Sequence, residues 1–314
     1  MNLSTTQRQN KFLIIGSVAA VAVLLPFALN EYQMHVAIVS IYYVLLASAW
    51  SFLAGRAGIF SLGIHAVAGL AAYTSALTIT YFNFPFAVSM PLGVAVAALV
   101  SLFLSALTLR MRTIYLALTT WAFAEISRLV IGAEYEITRG DLGLQTPTLF
   151  GLRFLLPYYY LFLGVAVATL LYIFYLTRTK AGFFIWAIGQ DPILSEMCGI
   201  NVYRWRVIAT VISGVIAGVA GVLFGHYVGI LAPSILGFHE MATVIMMVIV
   251  GGYGTFVGPI LGAVVVEWLM ESFRIYKEWR LVVFALTVIV LVRFYREGLV
   301  GLLKKYTPLK SYLF

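Results

Sequence analysis

The stretch VIATVISGVIAGVAGVLFGHYVGI, residues 207–230, decides the fold class of this chain. It contains no Asp, Glu, Lys or Arg, and it exceeds the roughly 20 apolar residues that a helix needs to cross the hydrocarbon core of a bilayer. Glycines recur along it every three or four residues, at Gly214, Gly218, Gly221, Gly225 and Gly229. On a helix they share a face, where small residues let a neighbouring helix approach closely. The stretch therefore predicts a membrane-spanning helix packed within a bundle.

The composition of the whole chain agrees with this prediction. Of its 314 residues, 62% are hydrophobic, 15% are aromatic and only 10% are charged, and the mean hydropathy is +1.00. A domain folded in water carries about 25% charged residues because they wet its surface. The single cysteine, Cys198, leaves no intrachain disulfide framework. A soluble enzyme, a disordered chain and a disulfide scaffold are excluded, and lipid is expected to cover much of the surface.

Apolar runs separated by short polar breaks divide the chain into about ten segments. They are 12–29, 36–54, 64–82, 86–109, 114–132, 158–177, 207–230, 241–251, 257–272 and 281–296. The first is longer than the apolar region of a signal peptide, so we interpret it as a retained helix. The eighth and ninth are short, which is typical of broken or re-entrant helices. We expect an all-α, polytopic membrane protein with about ten transmembrane or re-entrant helices in a single domain, 1–314.

The distribution of basic residues predicts the orientation. With the N-terminus inside, 14 lysines and arginines fall in inner loops and 5 in outer loops. The inner set is Arg8, Lys11, Arg56, Arg110, Arg112, Arg178, Lys180, Arg204, Arg206, Arg293, Arg296, Lys304, Lys305 and Lys310, and the outer set is Arg139, Arg153, Arg274, Lys277 and Arg280. This bias predicts that both termini are cytoplasmic. The net charge of +8 is thus explained by the orientation of the chain in the membrane. The sequence has no basic-aromatic patch outside the membrane that would indicate a nucleic-acid partner.

Two long loops remain, an outer one at about 133–157 and an inner one at about 178–206. Two glycine-rich breaks share the pattern G-x-x-G-x-F, GRAGIF at 55–60 and GGYGTF at 251–256, and each lies between two apolar segments. Transporters are often built from repeats whose glycine-interrupted helices meet at the substrate path. The pair therefore predicts a path through the middle of the protein, although glycine is common in membrane helices for packing alone.

The chain carries few residues that could perform catalysis. It has no phosphate-binding G-x-x-x-x-G-K-[ST] loop, no H-E-x-x-H, no C-x-x-C and no G-x-S-x-G. Its histidines, His35, His65, His226 and His239, are too scattered for a metal-ligand motif. We expect no enzymatic activity, no bound metal and no cofactor, and any ATP that drives transport is expected to bind to partner subunits.

A few ionisable residues fall inside apolar segments, where placing a charge in the bilayer is energetically costly and therefore indicates a specific role. Glu125 and Arg128 are three residues apart on one helix face, so they either line a polar cavity or form a structural ion pair. Glu267 and Glu271 either face the outer mouth of a path or lie at a solvated helix end. His65 either faces the substrate or forms a hydrogen bond to a neighbouring helix.

At its motifs the chain resembles a known family, the membrane permease subunits of ATP-binding-cassette importers for branched-chain amino acids, specifically the M-type partner of the paired H-type and M-type permeases. The stretches that carry the resemblance run from about residue 50 to about 270. They are GRAGIFSLG at 55–63 with AAYT at 71–74, YLALTTWAFAEI at 115–126 with TRGDLGL at 138–144, EMCGIN at 196–201 and GGYGTFVGP at 251–259.

The resemblance implies a complex in the bacterial inner membrane. Its other parts would be a homologous H-type permease, two ATP-binding-cassette subunits and a periplasmic substrate-binding protein. A short helix in the inner loop would dock on the ATPase, which makes Asp191, Glu196, Gly199 and Asn201 the predicted coupling residues. In this loop the chain departs from the family, because Phe183, Trp186 and Gly189 stand where relatives have arginines and Pro192 replaces an acidic residue.

The predicted translocation path combines the breaks with nearby polar residues, namely Gly55, Gly58, Ser61, His65, Thr119, Glu125, Gly251 and Gly254. The expected substrates are branched-chain or other hydrophobic amino acids. Closely similar permeases carry urea or short-chain amides, so these remain an alternative. A second alternative is an ion-coupled secondary transporter that uses Glu125 and His65 and needs no partner, but the chain lacks a row of mid-membrane carboxylates.

Overall fold

The computed structural model describes residues 21–108, 111–151, 154–276 and 298–301. Most of these residues are helical. The helices are α1 (Glu31–Ser51), α2 (Ile64–Phe82), α3 (Phe86–Thr108), α4 (Thr113–Ala133), α5 (Tyr135–Thr138), α6 (Leu155–Thr177), α7 (Lys180–Gln190), α8 (Pro192–Met197), α9 (Val202–Val228), α10 (Phe238–Gly251) and α11 (Gly258–Ser272). Short 3₁₀ turns lie at Leu25–Phe27, Gly140–Leu142, Pro233–Leu236 and Phe273–Tyr276.

Five helices of the described chain are long and apolar enough to cross a membrane. They are α1 with its extension to Arg56, α3, α4, α6 and α9. Every apolar segment predicted between residues 36 and 272 is helical, and α2 begins and ends at the predicted residues. The predicted segment 281–296 and the first half of 12–29 lie outside the described residues, as do both termini. The count of about ten segments and the cytoplasmic termini therefore stay predictions.

Helix α9 lies at the centre of the bundle, packed against α2, α3 and α1. Its glycine face makes this possible, because a methyl group at Gly221 would overlap the carbonyl group of Ala68 on α2. At Gly218 the same methyl group would come within 2.5 Å of the Ala97 side chain on α3. The glycine spacing of 207–230 thus serves helix packing, as small residues do in membrane bundles.

The loop at about 133–157, predicted to be an outer loop, is more ordered than its turn-rich sequence indicated. Its residues Leu144–Gln145 (β1) pair with Ile230–Leu231 (β2) as a short antiparallel ribbon in the register Leu144 to Leu231. The His226 ring donates from Nδ1 to the carbonyl oxygen of Pro147 at 2.8 Å, since a carbonyl can only accept. These contacts attach the loop to the end of α9.

Candidate functional site

The two glycine-rich breaks lie against each other. A methyl group at Gly55 would come within 2.8 Å of the Gly254 Cα atom, so Gly55 must be glycine for the backbones to approach this closely, whereas Gly254 is favoured by its positive φ of 75°. The Tyr253 hydroxyl donates a hydrogen bond of 2.7 Å to the carbonyl oxygen of Ala54. The two G-x-x-G-x-F sequences, nearly 200 residues apart, therefore form one junction, which we call the break junction (residues 54–58 and 251–256).

The first break begins where α1 widens into a π-helical turn, Phe52–Arg56. Such turns are rare and are often found at functional sites. Gly58 then adopts a positive φ of 66°, and the chain continues without regular structure to the start of α2. Trp50 Nε1 donates to the Ser61 carbonyl oxygen at 2.8 Å, and Thr120 Oγ1 accepts from the Leu62 amide at 2.9 Å. These bonds hold the irregular segment between α1 and α4.

The second break separates α10 from α11. Gly252 and Gly254 have φ values of 131° and 75°, which L residues with side chains rarely adopt. Thr255 Oγ1 donates to the Gly252 carbonyl oxygen at 2.8 Å and accepts from the Gly258 amide at 3.0 Å, so it satisfies backbone groups at the start of α11. Gly251 packs against Gly258 and Gly262 of α11. With 14 and 15 residues, α10 and α11 are shorter than an ordinary span.

Three of the four predicted coupling residues lie at helix ends around α8, and Glu196 lies within α8. Asp191 caps α8 by accepting from the Ile193 and Leu194 amides at 2.9 and 3.0 Å. Gly199 follows α8 with a φ of 81°, and its amide bonds the Glu196 carbonyl oxygen. The Ile200 amide bonds the Ser195 carbonyl oxygen, so α8 ends in a Schellman motif. These caps define the shape of the segment locally.

The Asn201 side chain caps α9 in the same way, accepting from the Arg204 amide at 2.9 Å. Glu196 has its side chain at the surface of the chain. The predicted residues Asp191, Gly199 and Asn201 thus share one structural property, because each begins or ends a helix around α8.

Helix α8 and the adjoining α7 present apolar side chains at the surface of the chain. Met197 is 81% exposed and Ile193 is 73% exposed, and Leu194, Phe183 and Trp186 are also exposed. We call these five residues the coupling face. Exposed apolar patches mark sites that contact a protein partner or lipid. Phe183 and Trp186 are two of the positions at which the chain departs from the family's arginines.

Helix α7 contacts the break junction directly. A methyl group at Gly189 would overlap the Arg56 carbonyl oxygen, and one at Gly58 would come within 3.1 Å of Gly189 Cα. The end of α7 is therefore packed backbone against backbone on the first break. In the sequence Gly189 stands out only as a departure from the family pattern, because nothing local to it reveals what it contacts.

The remaining predicted path residues lie on or beside α2 and α4. His65 is buried, and its Nε2 donates to the Leu236 carbonyl oxygen at 2.8 Å. Arg128 Nε donates to Glu125 Oε1 at 3.0 Å, and both side chains are one-third exposed. Thr119 Oγ1 lies 3.6 Å from Met111 Sδ. Of the predicted path, the structure brings together Gly55, Gly58, Gly251 and Gly254 at the break junction, whereas Thr119 and Glu125 lie on α4.

Within the described ranges, no group of three His, Cys, Asp or Glu side chains is placed so that it could hold a metal ion. The end of α7, on a segment with exposed apolar side chains, is packed against the first break, and the first break contacts the second.

Comparison with known proteins places this arrangement in a family. Residues 32–292 match the family described as the branched-chain amino acid transport system / permease component. The chain is 29% identical to the high-affinity branched-chain amino acid transport system permease protein LivM of Salmonella typhimurium, over 98% of this chain and 78% of that protein. It is 28% identical to LivM of Escherichia coli over the same shares.

More distant similarity extends to other importers, such as the fructose import permease protein FrcC of Rhizobium meliloti, at 26% identity over 67% of this chain and 63% of that protein. No solved structure matches the chain. The family match covers most of the chain and includes both breaks and the segment between them. The chain therefore belongs to the family of branched-chain amino acid transport permeases, confirming the resemblance noted in its motifs.

Proposed function

We propose that this chain is the M-type permease subunit of an ATP-binding-cassette importer in the bacterial inner membrane. It pairs with a homologous H-type permease and two ATPase subunits, and it receives branched-chain or other hydrophobic amino acids from a periplasmic binding protein. The observation that carries the proposal is the packing of α7 on the first break, where Gly189 lies against Arg56 and Gly58. It supports a direct mechanical route from a surface segment to the membrane helices.

The coupling face supports docking of an ATPase. Its apolar residues lie on α7 and α8, which belong to the predicted inner loop, and α8 is capped at both ends. A capped helix of six residues keeps its shape while a partner binds its exposed side. The sequence itself has no phosphate-binding loop, which agrees with ATP hydrolysis on a partner chain.

The same contacts support a mechanism. Asp191 follows α7 and caps α8, so a displacement of α8 by a closing ATPase pair also moves the end of α7. Because Gly189 and Arg56 are in backbone contact, that movement is passed to the π-helical turn and to the break junction. Packed contacts between backbones transmit displacement because they cannot be compressed. Alternating access would then follow from rearrangement of the two broken helices.

The relatives support amino acids as substrates, since two of them are named for branched-chain amino acid transport. Urea or short-chain amides remain the alternative within the family. An ion-coupled transporter is less well supported, because Glu125 is paired with Arg128 and His65 is bonded to Leu236.

Co-purification tests the proposal. The chain is expressed with the reading frames that neighbour its gene, and a tag on this chain is expected to recover an ATPase subunit and a second permease. The assembled complex in liposomes is expected to take up leucine when binding protein and ATP are supplied. Failure to recover any ATPase, or uptake by this chain alone driven by an ion gradient, would contradict the proposal.

A substitution in the coupling face tests whether the ATPase docks there. Met197→Asp places a carboxylate in the coupling face, where it must be desolvated on docking, so recovery of the ATPase is expected to fall strongly. Leu142→Asp is the matched control, because Leu142 is 72% exposed in the outer loop. Equal recovery of the ATPase with both variants would show that the coupling face is not the docking site.

A further inference from the structure

An open cleft of about 600 Å³ lies where the loop 133–151 meets β2. This loop is predicted to be an outer loop, and the coupling segment does not use it. The cleft is lined by Gly143 and by six residues that are all exposed. They combine aromatic, aliphatic, charged and amide side chains, and we call them the loop face: Tyr135, Glu136, Arg139, Leu142, Gln145 and Ile230.

The loop face lies on a well-supported backbone. Thr138 Oγ1 donates to the Ile131 carbonyl oxygen at 2.6 Å. The Tyr81 hydroxyl, from the end of α2, donates to the Ile137 carbonyl oxygen at 2.9 Å. Together with the ribbon of β1 and β2, these bonds fix the backbone beneath the exposed side chains. A surface that is ordered in advance loses little entropy when a partner binds to it.

Arg139 adopts an unusual backbone conformation within the loop face. Its φ is 59°, and among the described residues other than glycine only Asn83 shares a positive φ. Asparagine tolerates this region, whereas arginine reaches it at a cost in free energy because its Cβ atom crowds the backbone. Strained residues of this kind are concentrated at functional sites. The conformation of Arg139 therefore favours a functional use of the cleft.

The stretch 134–141 is far more polar than the rest of the chain. Glu134, Glu136, Arg139 and Asp141 are exposed, so half of its eight residues carry a charge, against 10% of the whole chain. Placing these charges in hydrocarbon would be costly, so we expect this surface in water. Three carboxylates and one guanidinium give it a net charge of −2, in a chain whose net charge is +8. An acidic surface repels anionic lipid head groups and attracts basic groups of a partner.

Apolar side chains stand beside these charges. Tyr135 is 63% exposed, Leu142 is 72% exposed and Ile230 is 54% exposed. Tyrosine and arginine, both present in the loop face, are enriched in protein interfaces. A small molecule needs an enclosed pocket that covers most of its surface, which an open cleft between exposed residues does not provide. The loop face therefore fits a protein partner.

We propose that the loop face is the docking site of the periplasmic binding protein, which meets it with an apolar side chain surrounded by lysines or arginines. The apolar side chain enters the cleft beside Leu142, and the basic groups pair with Glu136 and Asp141. The inference rests on the proposed function and deepens it, because it assigns a surface and a charge pattern to the contact through which the substrate is delivered.

The kinetics of binding-protein association test the charge pattern. The binding protein encoded beside this gene is purified, and its association with the assembled complex in nanodiscs is followed by biolayer interferometry at low and at high salt. The association rate constant of the wild type is expected to fall at least about tenfold from low to high salt, because opposite charges steer the encounter.

A charge reversal separates this steering from the rest of the contact. The double variant Glu136→Lys with Asp141→Lys changes the charge of 134–141 from −2 to +2. Its association at low salt is expected to be at least about tenfold slower than that of the wild type. At high salt the two association rate constants should differ much less, because salt screens exposed charges.

Leu142→Asp tests the apolar part of the contact. The new carboxylate must be desolvated when the partner binds, so the Kd is expected to rise at least about tenfold, mainly through faster dissociation. Leu142→Met is the matched control, because it keeps an apolar side chain of similar volume and should bind within about twofold of the wild type. Leu142 is exposed, so both variants are expected to keep the melting temperature of the complex.

The coupling-face variant is a crossed control. Met197→Asp is expected to lose the ATPase and to keep its affinity for the binding protein. Leu142→Asp is expected to keep the ATPase and to lose affinity for the binding protein. Because the two losses concern different partners, failure of the docking site is distinguishable from failure of the proposed function.

Three outcomes would overturn the docking site. They are unchanged affinity in Leu142→Asp, unchanged association of the double variant at low salt, and loss of the second permease from either variant complex, which would show that the loop face contacts that permease instead. In each case recovery of the ATPase and ATP-driven uptake by the wild type would still support the proposed function. Absence of the ATPase from the wild-type complex would contradict the proposed function itself.

Discussion

The hydroxyl group of Tyr253 donates a hydrogen bond of 2.7 Å to the carbonyl oxygen of Ala54, across the two breaks that interrupt the membrane helices. The π-helical turn that follows α1 bonds its carbonyl groups irregularly, and Tyr253 supplies a donor to one of them. This bond and the contact between Gly55 and Gly254 hold the two breaks in one arrangement.

Tyr253→Phe is expected to loosen the break junction. The change leaves the ring in place and removes one hydrogen bond, so the free energy of unfolding should fall by about 1 kcal/mol. The measurement is thermal unfolding of the purified complex, with Tyr172→Phe, at an exposed position on α6, as the control. Equal melting temperatures for the two variants would contradict a stabilising role for this bond.

Gly189→Ala is expected to disturb the contact between the coupling segment and the first break. The added methyl group overlaps the Arg56 carbonyl oxygen, and overpacking of this kind costs about 1–3 kcal/mol. Uptake by the assembled complex should fall strongly.

Gly164→Ala is the matched control for Gly189→Ala. Gly164 lies in α6 with no atom within 4 Å of an added methyl group. Because alanine is the better helix former by about 1 kcal/mol, this variant should keep its uptake and its stability. If Gly189→Ala transports as well as Gly164→Ala, the contact with Arg56 does not carry the coupling movement.

Substitutions at Asp191 distinguish a helix cap from an acidic contact with the ATPase. Asp191→Asn keeps a side-chain oxygen that accepts from the Ile193 and Leu194 amides, whereas Asp191→Ala removes it and should cost about 1 kcal/mol of helix stability. If capping is the role, uptake should be retained in Asp191→Asn and reduced in Asp191→Ala. Equal loss in both variants would instead indicate that the negative charge itself is needed.

The Glu125 and Arg128 pair tests the ion-coupled alternative. The double variant Glu125→Gln with Arg128→Gln removes both charges together, so neither side chain is left as an unpaired ion on α4. ATP-driven uptake by the assembled complex is expected to be retained. Loss of uptake with normal assembly would show that the pair belongs to the substrate path or to an ion-coupling site.

Much of the fold follows from local sequence. The bounds of α2 agree with the predicted segment 64–82, and the other segments between 36 and 272 differ from their helices by a few residues. The ends of α8 were also partly predictable, because a glycine after a short helix is a common C-terminal cap. The β1 and β2 ribbon was not predictable, because Leu144 and Leu231 pair across a long sequence separation and neither lies in a strand-like pattern.

The candidate site was predicted less completely than the helices. The glycine patterns at 55–60 and 251–256 indicated two breaks, and the structure brings them into contact. Gly189 stood out in the sequence only as a departure from the family pattern, because a glycine in a short helix has several possible uses. Its role depends on the backbone that lies opposite it.

The sequence by itself determined that this protein is a helical membrane protein and where most of its helices lie, because the length of an apolar run and the conformational preferences of glycine are local properties. Only the tertiary structure decided that Tyr253 meets Ala54 and that Gly189 meets Arg56. Such contacts depend on the packing of several helices at once, and the small residues that permit close approach do not specify which backbone will approach them.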